Sequence, residues 1–520
     1  MQRRRFLGAA GSAAVLGAGK AASASTALPF DHAGLKVRAR ALAAAPWQPP
    51  TTVLPPDVAR FGEDDVRAIR FRGERALWAG SDLGFEVRLF HRTPAFPRKV
   101  RIFEIVAGQT RELGYVPDMF DYGRSGLDGT RLPADFGFAG FRIGLRGEPR
   151  QDRVAFLGAS FFRAVGASRQ YGLSARALAV DTAVSRDEEF PDFTEFYLER
   201  PAPGARTLVV HALLDAPSVA GAYRFAITPG DTTVMDIDAA LYPRREMDRL
   251  GIAPCTSMFL SGENDRRVAR DWRPELHDSD GLSMQTGSGE WIWRPLQNPA
   301  TLRFNAFADQ NPRGFGLLQR DRQFESYQDD AAAYERRPSL WVEPKGGWGR
   351  GQVQLVEIPT VDETADNVVV FWSPSDRPRG GQELVFGYRL HWGTDASAAP
   401  PLGRCRATRS GIGGTPGQPR AAFSWRFAVD FVGGDLGSLS PAAAVEALVT
   451  ASRGRIERVS ARPLPAIRGW RALFDVVPPA DGNLEPIGLR LFLRAEGRAL
   501  TETWISEWAP PSLAQRQALL

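Results

Sequence analysis

The chain has 520 residues, of which 43 % are hydrophobic and 24 % charged, and its formal net charge at pH 7 is +5. That length accommodates two or more domains with a substantial core, and the composition is ordinary for a globular protein. Residues 1–24 hold four positive charges and no negative charge, so the remainder carries about +1. This balance argues against a nucleic-acid partner, which requires a basic patch.

The N-terminus, MQRRRFLGAAGSAAVLGAGKAASA, has the features of an export signal. Residues 3–7 give the R-R-x-F-L pattern of a twin-arginine signal, and residues 22–24 give an A-x-A cleavage site. The apolar run between them is too short and too rich in Gly and Ala for a membrane anchor. We therefore expect residues 1–24 to be removed during twin-arginine export to a bacterial periplasm. No later run of 18 apolar residues predicts a membrane span.

Helical spacing of apolar residues predicts one short helix over residues 33–45, followed from about residue 66 by short strands. Runs such as FEVRLFHR, TLVVHALLD and NVVVFWSP are β-branched or aromatic and are bounded by Gly, Pro, Asp or Asn. A second helical pattern, DDAAAYERR, covers residues 329–337. Many strands and few helices predict an all-β protein built as a large antiparallel sandwich.

A stretch rich in Gly, Ala and Pro at residues 393–404 is typical of a linker between domains. About seven strand-like runs follow it, which predicts an immunoglobulin-like sandwich without the usual disulfide. The predicted organisation is a signal at 1–24, a β-sandwich domain at 25–392, and an immunoglobulin-like domain at 405–520.

The chain shows no motif for a cofactor or a metal. It lacks a Gly-rich dinucleotide loop, a Walker loop, H-E-x-x-H and G-x-S-x-G, and its five histidines are scattered. Its two cysteines form no C-x-x-C pair. Cys255 lies in an apolar run, which favours a buried free thiol, although pairing with Cys405 in an oxidising compartment stays open.

Tryptophans are dense between residues 270 and 372. In Glu290-Trp291-Ile292-Trp293-Arg294, the two tryptophans share one face of a strand, opposite Glu290 and Arg294. Paired indoles can form a stacking platform for sugar rings, and packing in a sandwich core is the alternative. The residues that we predict to bind or orient a substrate are Asp280, Glu290, Arg273, Trp291, Trp293, Arg294, Tyr334, Trp341 and Trp348.

Two acidic segments are candidates for catalysis. In RPELHDSDGL (273–282), Asp278 and Asp280 face the same way on an extended chain. Spacing alone favours a structured turn there, and the later ligands of a calcium loop are missing. Asp366 precedes an apolar strand, where desolvation raises a carboxyl pKa towards general-acid range, although Asp-Asn is also a common turn.

Taken together, these segments resemble the periplasmic glucan biosynthesis protein family OpgG/OpgD (MdoG/MdoD). The resemblance covers nearly the whole chain after the signal and includes FLGASFFRAVG, EEFPDFTEFYLE, RPELHDSDGL, GEWIWRPLQNP and NPRGFGLLQRDR. The twin-arginine signal is closer to the D branch. The resemblance implies a galactose-mutarotase-like sandwich with a long cleft, followed by an immunoglobulin-like domain.

The resemblance also implies activity on β-1,2-linked glucan, because D-type members are similar to anomer-inverting glycoside hydrolases. Carried over by position, the general acid is Asp366 and the base that activates water is Asp278. Transglycosylation of the glucan, by cyclising or branching, and non-catalytic glucan binding or assembly remain alternatives. A membrane glucosyltransferase and a second copy of the chain are the partners that we expect, and no cofactor is implied.

Overall fold

The computed structural model describes residues 28–50, 52–148, 151–184, 187–394, 399–415, 417–420 and 422–520. The predicted signal at 1–24 and residues 395–398 of the predicted linker lie outside these ranges. Within them the chain is mostly strand, so the predicted all-β class is confirmed.

The strands follow one another in short segments. The first twelve are β1 Leu28–Pro29, β2 Arg70–Phe71, β3 Phe85–Phe90, β4 Arg101–Val106, β5 Gln109–Glu112, β6 Phe120–Asp121, β7 Gly140–Leu145, β8 Asp152–Leu157, β9 Phe161–Ala164, β10 Ser174–Arg176, β11 Leu178–Val180 and β12 Asp192–Glu199. The next twelve are β13 Leu208–Asp215, β14 Val219–Thr228, β15 Thr233–Pro243, β16 Leu250–Ser257, β17 Phe259–Ser261, β18 Leu276–His277, β19 Gly281–Gln285, β20 Trp291–Pro295, β21 Arg303–Gln310, β22 Gly314–Leu318, β23 Ser339–Pro344 and β24 Arg350–Glu357. The last ten are β25 Val368–Pro374, β26 Leu384–Gly393, β27 Arg404–Ile412, β28 Trp425–Val432, β29 Glu446–Ala451, β30 Arg455–Leu464, β31 Gly469–Val477, β32 Ile487–Ala495, β33 Arg498–Ala499 and β34 Thr503–Trp508.

The α-helices are few and mostly a single turn: α1 His32–Ala44, α2 Pro56–Ala59, α3 Glu63–Ala68, α4 Phe324–Tyr327 and α5 Leu513–Ala518. Helix α1 confirms the predicted helix at 33–45. Its N-cap Asp31 accepts a hydrogen bond from the Gly34 N–H, and it buries Leu35 and Ala39 against the outer face of β12–β15. No described helix has the length and apolar character needed to span a bilayer.

Two facing sheets form the larger sandwich. The large sheet has the order β1-β5-β4-β12-β13-β14-β15-β26-β23-β22-β19-β20-β34-β32-β29, and the facing sheet has the order β21-β24-β25-β16-β10-β9-β8-β7-β3. Their inner faces share one hydrophobic core, in which Phe156 of the facing sheet packs edge-on against Phe225 of the large sheet at 5.3 Å. Alternation of apolar residues along the strands supplies both inner faces.

After residue 404 the chain builds a second, smaller core. A C-terminal sheet with the order β27-β28-β31-β30 faces β29, β32 and β34, and Phe427 packs against Trp504 between them. Strand β34 also pairs in parallel with β20, with Trp293 opposite Trp504. The large sheet therefore continues from the first core into the second.

The helix predicted at 329–337 is not formed. The Asp329 carboxylate accepts hydrogen bonds from the N–H groups of Ala331 and Ala332, and Ala333 adopts a positive φ of 47°. A side chain that competes for backbone donors favours a turn over a helix, and only one 3₁₀ turn, Tyr334–Arg336, remains. Cys255 and Cys405 are both free and buried.

Candidate active site

Asp278 lies on the short connection between β18 and β19. Strand β18 pairs with β17, and the Asp278 N–H donates a hydrogen bond to the Met258 carbonyl at 2.9 Å. Its side chain is only 4 % exposed, and its carboxylate accepts a hydrogen bond from the Arg337 guanidinium. Burial raises the pKa of Asp278, the charge of Arg337 opposes that rise, and the charge of Asp366 adds to it.

Asp366 is exposed at the end of the segment that leads into β25. The next residue, Asn367, is buried and anchors this segment. Its Oδ1 accepts a hydrogen bond from the Phe259 N–H at 2.8 Å, and its Nδ2 donates to the carbonyls of Phe259 and Ile358, each at 3.0 Å. Phe259 belongs to β17, whose partner strand β18 leads directly to Asp278. One amide side chain thus joins the segment of Asp366 to the strand pair that leads to Asp278.

A network of charged side chains links the same two segments. Arg273 forms ion pairs with Asp329 at 2.7 Å and with Glu363 at 3.0 Å. The Tyr334 hydroxyl donates a hydrogen bond to Glu363 at 2.6 Å, and the Arg337 guanidinium lies 3.9 Å from the centre of the Tyr334 ring. The predicted residues Arg273 and Tyr334 therefore lie between the segment of Asp278 and that of Asp366.

Asp280 has different surroundings from Asp278. Its Oδ2 accepts hydrogen bonds from the N–H groups of Arg320 and Asp321, both at 2.8 Å, so it fastens a neighbouring turn. The two carboxylates do not share one environment, as an uninterrupted strand would require, because β18 ends at His277 and β19 begins only at Gly281. Burial raises the pKa of Asp280.

His277 is a core residue. Its ring contacts Gln319 Oε1 through Nδ1 at 2.9 Å and Glu275 Oε2 through Nε2 at 3.0 Å. Burial acts to lower its pKa, but the hydrogen bond with Glu275 and the surrounding carboxylates outweigh that effect and raise the pKa to about 9. A protonated ring donates from both nitrogens, which matches two oxygen partners.

Comparison with known proteins identifies the family of this chain. The family model described as "Periplasmic glucan biosynthesis protein, MdoG" matches residues 30–508. The chain belongs to this family. It is 57 % identical over 532 aligned positions to glucans biosynthesis protein D of Xanthomonas campestris pv. campestris (strain B100), covering 99 % of this chain and 100 % of that protein. It is 59 % identical over 483 positions to the protein of the same name from Stenotrophomonas maltophilia (strain R551-3), covering 93 % and 90 %.

The four tryptophans predicted to bind substrate are all buried, which favours the alternative of core packing over a stacking platform at Trp291 and Trp293. Trp291 stacks on Trp341 at 5.6 Å, and both belong with Trp293 to the second core. The Arg320 guanidinium covers the Trp293 ring at 3.6 Å. Trp348 packs in the first core. None of these rings offers a free face to a sugar.

Glu290 and Arg294 have partners other than the two carboxyls. Glu290 accepts hydrogen bonds from Arg490 and, at 2.6 Å, from the Thr503 hydroxyl, so it joins β20 to the second core. Arg294 forms a buried ion pair with Glu357 at 2.9 Å. Both side chains are therefore engaged in contacts that join neighbouring strands.

Sequence reasoning missed three residues of the site, Arg337, Glu363 and Asn367. A buried carboxylate needs a cation or several hydrogen-bond donors, so a basic residue beside Asp278 could be expected. The sequence does not show which residue this is, because Arg337 is 59 residues away from Asp278 in the chain. The role of Asn367 could have been predicted, because a polar amide directly before an apolar run is expected to form hydrogen bonds with buried backbone groups.

Proposed function

We propose that this protein is an anomer-inverting endo-β-1,2-glucanase of the bacterial periplasm, with Asp366 as general acid and Asp278 as general base. The observation that supports the proposal is geometric: Asn367 fastens the segment of Asp366 to β17, whose partner strand β18 leads directly to Asp278. Inverting hydrolysis needs an acid and a base, with their carboxyls about 6.5–9.5 Å apart so that a water fits between them.

In the proposed reaction, Asp366 gives its proton to the glycosidic oxygen as the bond from that oxygen to the anomeric carbon breaks. Asp278 takes a proton from a water whose oxygen attacks the same carbon from the opposite face. The products are a new reducing end of inverted configuration and a free hydroxyl on the leaving chain. Water supplies both the oxygen and the proton, so no cofactor is required.

Asp278 is buried beside a cation, whereas Asp366 is exposed and does not have the desolvated surroundings predicted from the sequence. A base has to be ionised, and the Arg337 cation favours the carboxylate form of the deeply buried Asp278. An acid has to reach the leaving oxygen, and Asp366 is exposed and anchored by its neighbour Asn367. Arg273 and Tyr334 are proposed as positioning residues that hold Glu363, three residues before Asp366.

Transglycosylation is the second candidate. Asp278 is 4 % exposed, which restricts the access of water to the base. A sugar hydroxyl that replaces water as the acceptor would transfer the glucan chain and so branch or cyclise it. The same acid and base serve both reactions.

We further propose export by the twin-arginine pathway, supported by residues 3–7, and a division into domains 25–392 and 405–520, supported by the two hydrophobic cores. A membrane glucosyltransferase that supplies the glucan and a second copy of the chain are proposed partners.

In a purely non-catalytic assembly factor, the carboxyl pair would have no chemical task.

The test uses residues 25–520 and linear β-1,2-glucan, with new reducing ends and product masses followed together. Shorter chains with new reducing ends, of inverted anomeric configuration by NMR, support the hydrolase. Products one water lighter than linear chains, without new reducing ends, support cyclising transfer. Asp366→Asn is expected to abolish turnover, whereas Asp362→Asn, an exposed turn residue in the same segment, is expected to preserve it. If the unmodified protein binds glucan but does not turn it over, the result would support a non-catalytic assembly factor.

A further inference from the structure

A pocket lies where the two cores meet, on a different part of the surface from Asp278 and Asp366. It has a volume of about 440 Å³ and is bounded by the segments 263–267 and 297–300 on one side and by β28 and the end of β34 on the other. We call it the boundary pocket. It has no part in the proposed reaction.

Two tryptophans give the boundary pocket a flat aromatic wall. The rings of Trp425 and Trp508 are within 14° of parallel, with centroids 6.1 Å apart, and Phe423 continues the same orientation behind them. Both indoles are half-buried, so part of each ring remains open. The pair Trp291 and Trp341 is also stacked, but both of its rings are buried. Rings of this kind offer large apolar contact with little loss of conformational entropy.

The polar residues around the aromatic wall are available to a ligand. In the part of the chain that the structure describes, the side chains of Arg266, Arg303, Ser410 and Glu507 form no hydrogen bond or ion pair. The two arginines are positively charged donors, and Glu507 is a negatively charged acceptor. A ligand rich in hydroxyl groups can accept hydrogen bonds from the arginines and donate one to Glu507, because each hydroxyl is both a donor and an acceptor.

The boundary pocket is connected to the segment of Asp366 by Asn298, which lies in its wall. Asn298 Nδ2 donates a hydrogen bond to the Thr360 carbonyl at 2.9 Å, and its Oδ1 accepts from the Thr360 N–H at 3.0 Å. Arg267, also in the wall, donates to the Asn298 carbonyl at 2.7 Å. Thr360 is six residues before Asp366, so the pocket and the segment that carries the acid share one support.

We propose that the boundary pocket is a second glucan-binding site, which holds a stretch of the polymer away from the catalytic pair. The aromatic wall would stack on the apolar faces of the glucose rings, while the free arginines, Ser410 and Glu507 would bind their hydroxyls. The identity of the polymer as β-1,2-glucan rests on the proposed function. The existence of a saccharide site rests on the pocket alone.

The test measures binding of long linear β-1,2-glucan to residues 25–520 in an Asp366→Asn background, which prevents turnover. Trp508→Ala removes half of the aromatic wall, and Ser410→Trp fills the pocket from an exposed position without removing a core side chain. Each change is expected to weaken binding about five- to tenfold, the effect of losing one aromatic contact. Trp47→Ala, another half-buried tryptophan outside the pocket, is the matched control and should bind like the parent.

Hydrogen exchange locates the effect. Glucan is expected to protect the amides of residues 263–267 and 504–509 in the parent and not in Ser410→Trp. Parent-like affinity in both pocket variants, or no binding by the parent, overturns the second site. Cleavage of glucan by the unmodified protein together with parent-like binding in the variants overturns the second site alone. Binding lost in the variants without any cleavage by the unmodified protein overturns the proposed hydrolase and keeps the site.

Discussion

Glu502 and Arg320 form a buried bidentate ion pair between the second core and the first. The Glu502 side chain has no exposed surface, and its two oxygens lie 2.5 and 3.0 Å from the Arg320 guanidinium. The backbone N–H of Arg320 in turn donates to Asp280, two residues from Asp278. A residue near the C-terminus is thus connected through two contacts to Asp280, two residues from the candidate base.

Glu502→Gln is expected to destabilise the protein by about 3–5 kcal/mol, because it leaves the Arg320 cation buried without its counter-charge. Urea unfolding of residues 25–520 measures the change in the free energy of unfolding. Glu446→Gln is the matched control, since it removes an exposed partner of Arg494 and should cost about 0–1 kcal/mol. Equal effects in the two variants would contradict a structural role for the buried pair.

Arg337→Gln is expected to move the acid limb of the pH profile of kcat/KM to higher pH. Burial already raises the pKa of Asp278 and Arg337 lowers it, so removing the guanidinium raises the pKa further. A base is active when ionised, so activity is lost as pH falls through that pKa, and the loss then begins about one to three pH units higher. Arg336→Gln changes an exposed neighbouring arginine and should keep the original profile. An unshifted acid limb in Arg337→Gln would argue against Asp278 as the base.

Asn367→Asp keeps the shape of the side chain and replaces the donor amide by a second oxygen, which faces the carbonyls of Phe259 and Ile358. We expect kcat to fall at least about tenfold, because the segment of Asp366 loses its anchor, and KM to change less. Asn483→Asp, in an exposed turn, controls for the charge. A parent-like kcat in Asn367→Asp would show that this anchor is dispensable.

Stability is expected to fall between pH 6.5 and about 9 because of His277. Its pKa rises from 6.5 to about 9 on folding, so in this window the folded protein holds a proton that the unfolded chain has released. The contribution is complete below pH 6.5 and is lost as pH rises through 9, by up to about 1.4 kcal/mol per pH unit. Urea unfolding at several pH values should show a shallower slope in His277→Gln. Tyr327→Phe, which alters the ring beside His277 without removing the titrating group, should keep the slope.

Patterns of local order were readable from the sequence. The helix at 33–45 and the run of short strands follow from the spacing of apolar residues, and they occur as predicted. The helix at 329–337 failed because spacing does not reveal that the Asp329 side chain occupies the backbone donors of the first turn. Local propensity decides such a segment only when no side chain competes.

The burial of the tryptophans could not be predicted for a different reason. Alternation along β20 correctly places Trp291 and Trp293 on one face, but it does not show what covers that face. The second core covers it, and its C-terminal members begin only at Cys405, more than 100 residues later in the chain. Long-range contacts of this kind also fix Arg337 beside Asp278, so the charged partners of the site could not be read from spacing.

The parallel pairing of β20 with β34 decides what happens when the chain is shortened. A fragment that ended at residue 392 would expose the unpaired N–H and C=O groups of β20, beside a bare apolar surface that includes Trp291 and Trp293. Open strand edges of that kind recruit other strands and promote aggregation. A stop codon at residues 393–404 is therefore expected to produce a self-associating fragment and not a smaller functional protein.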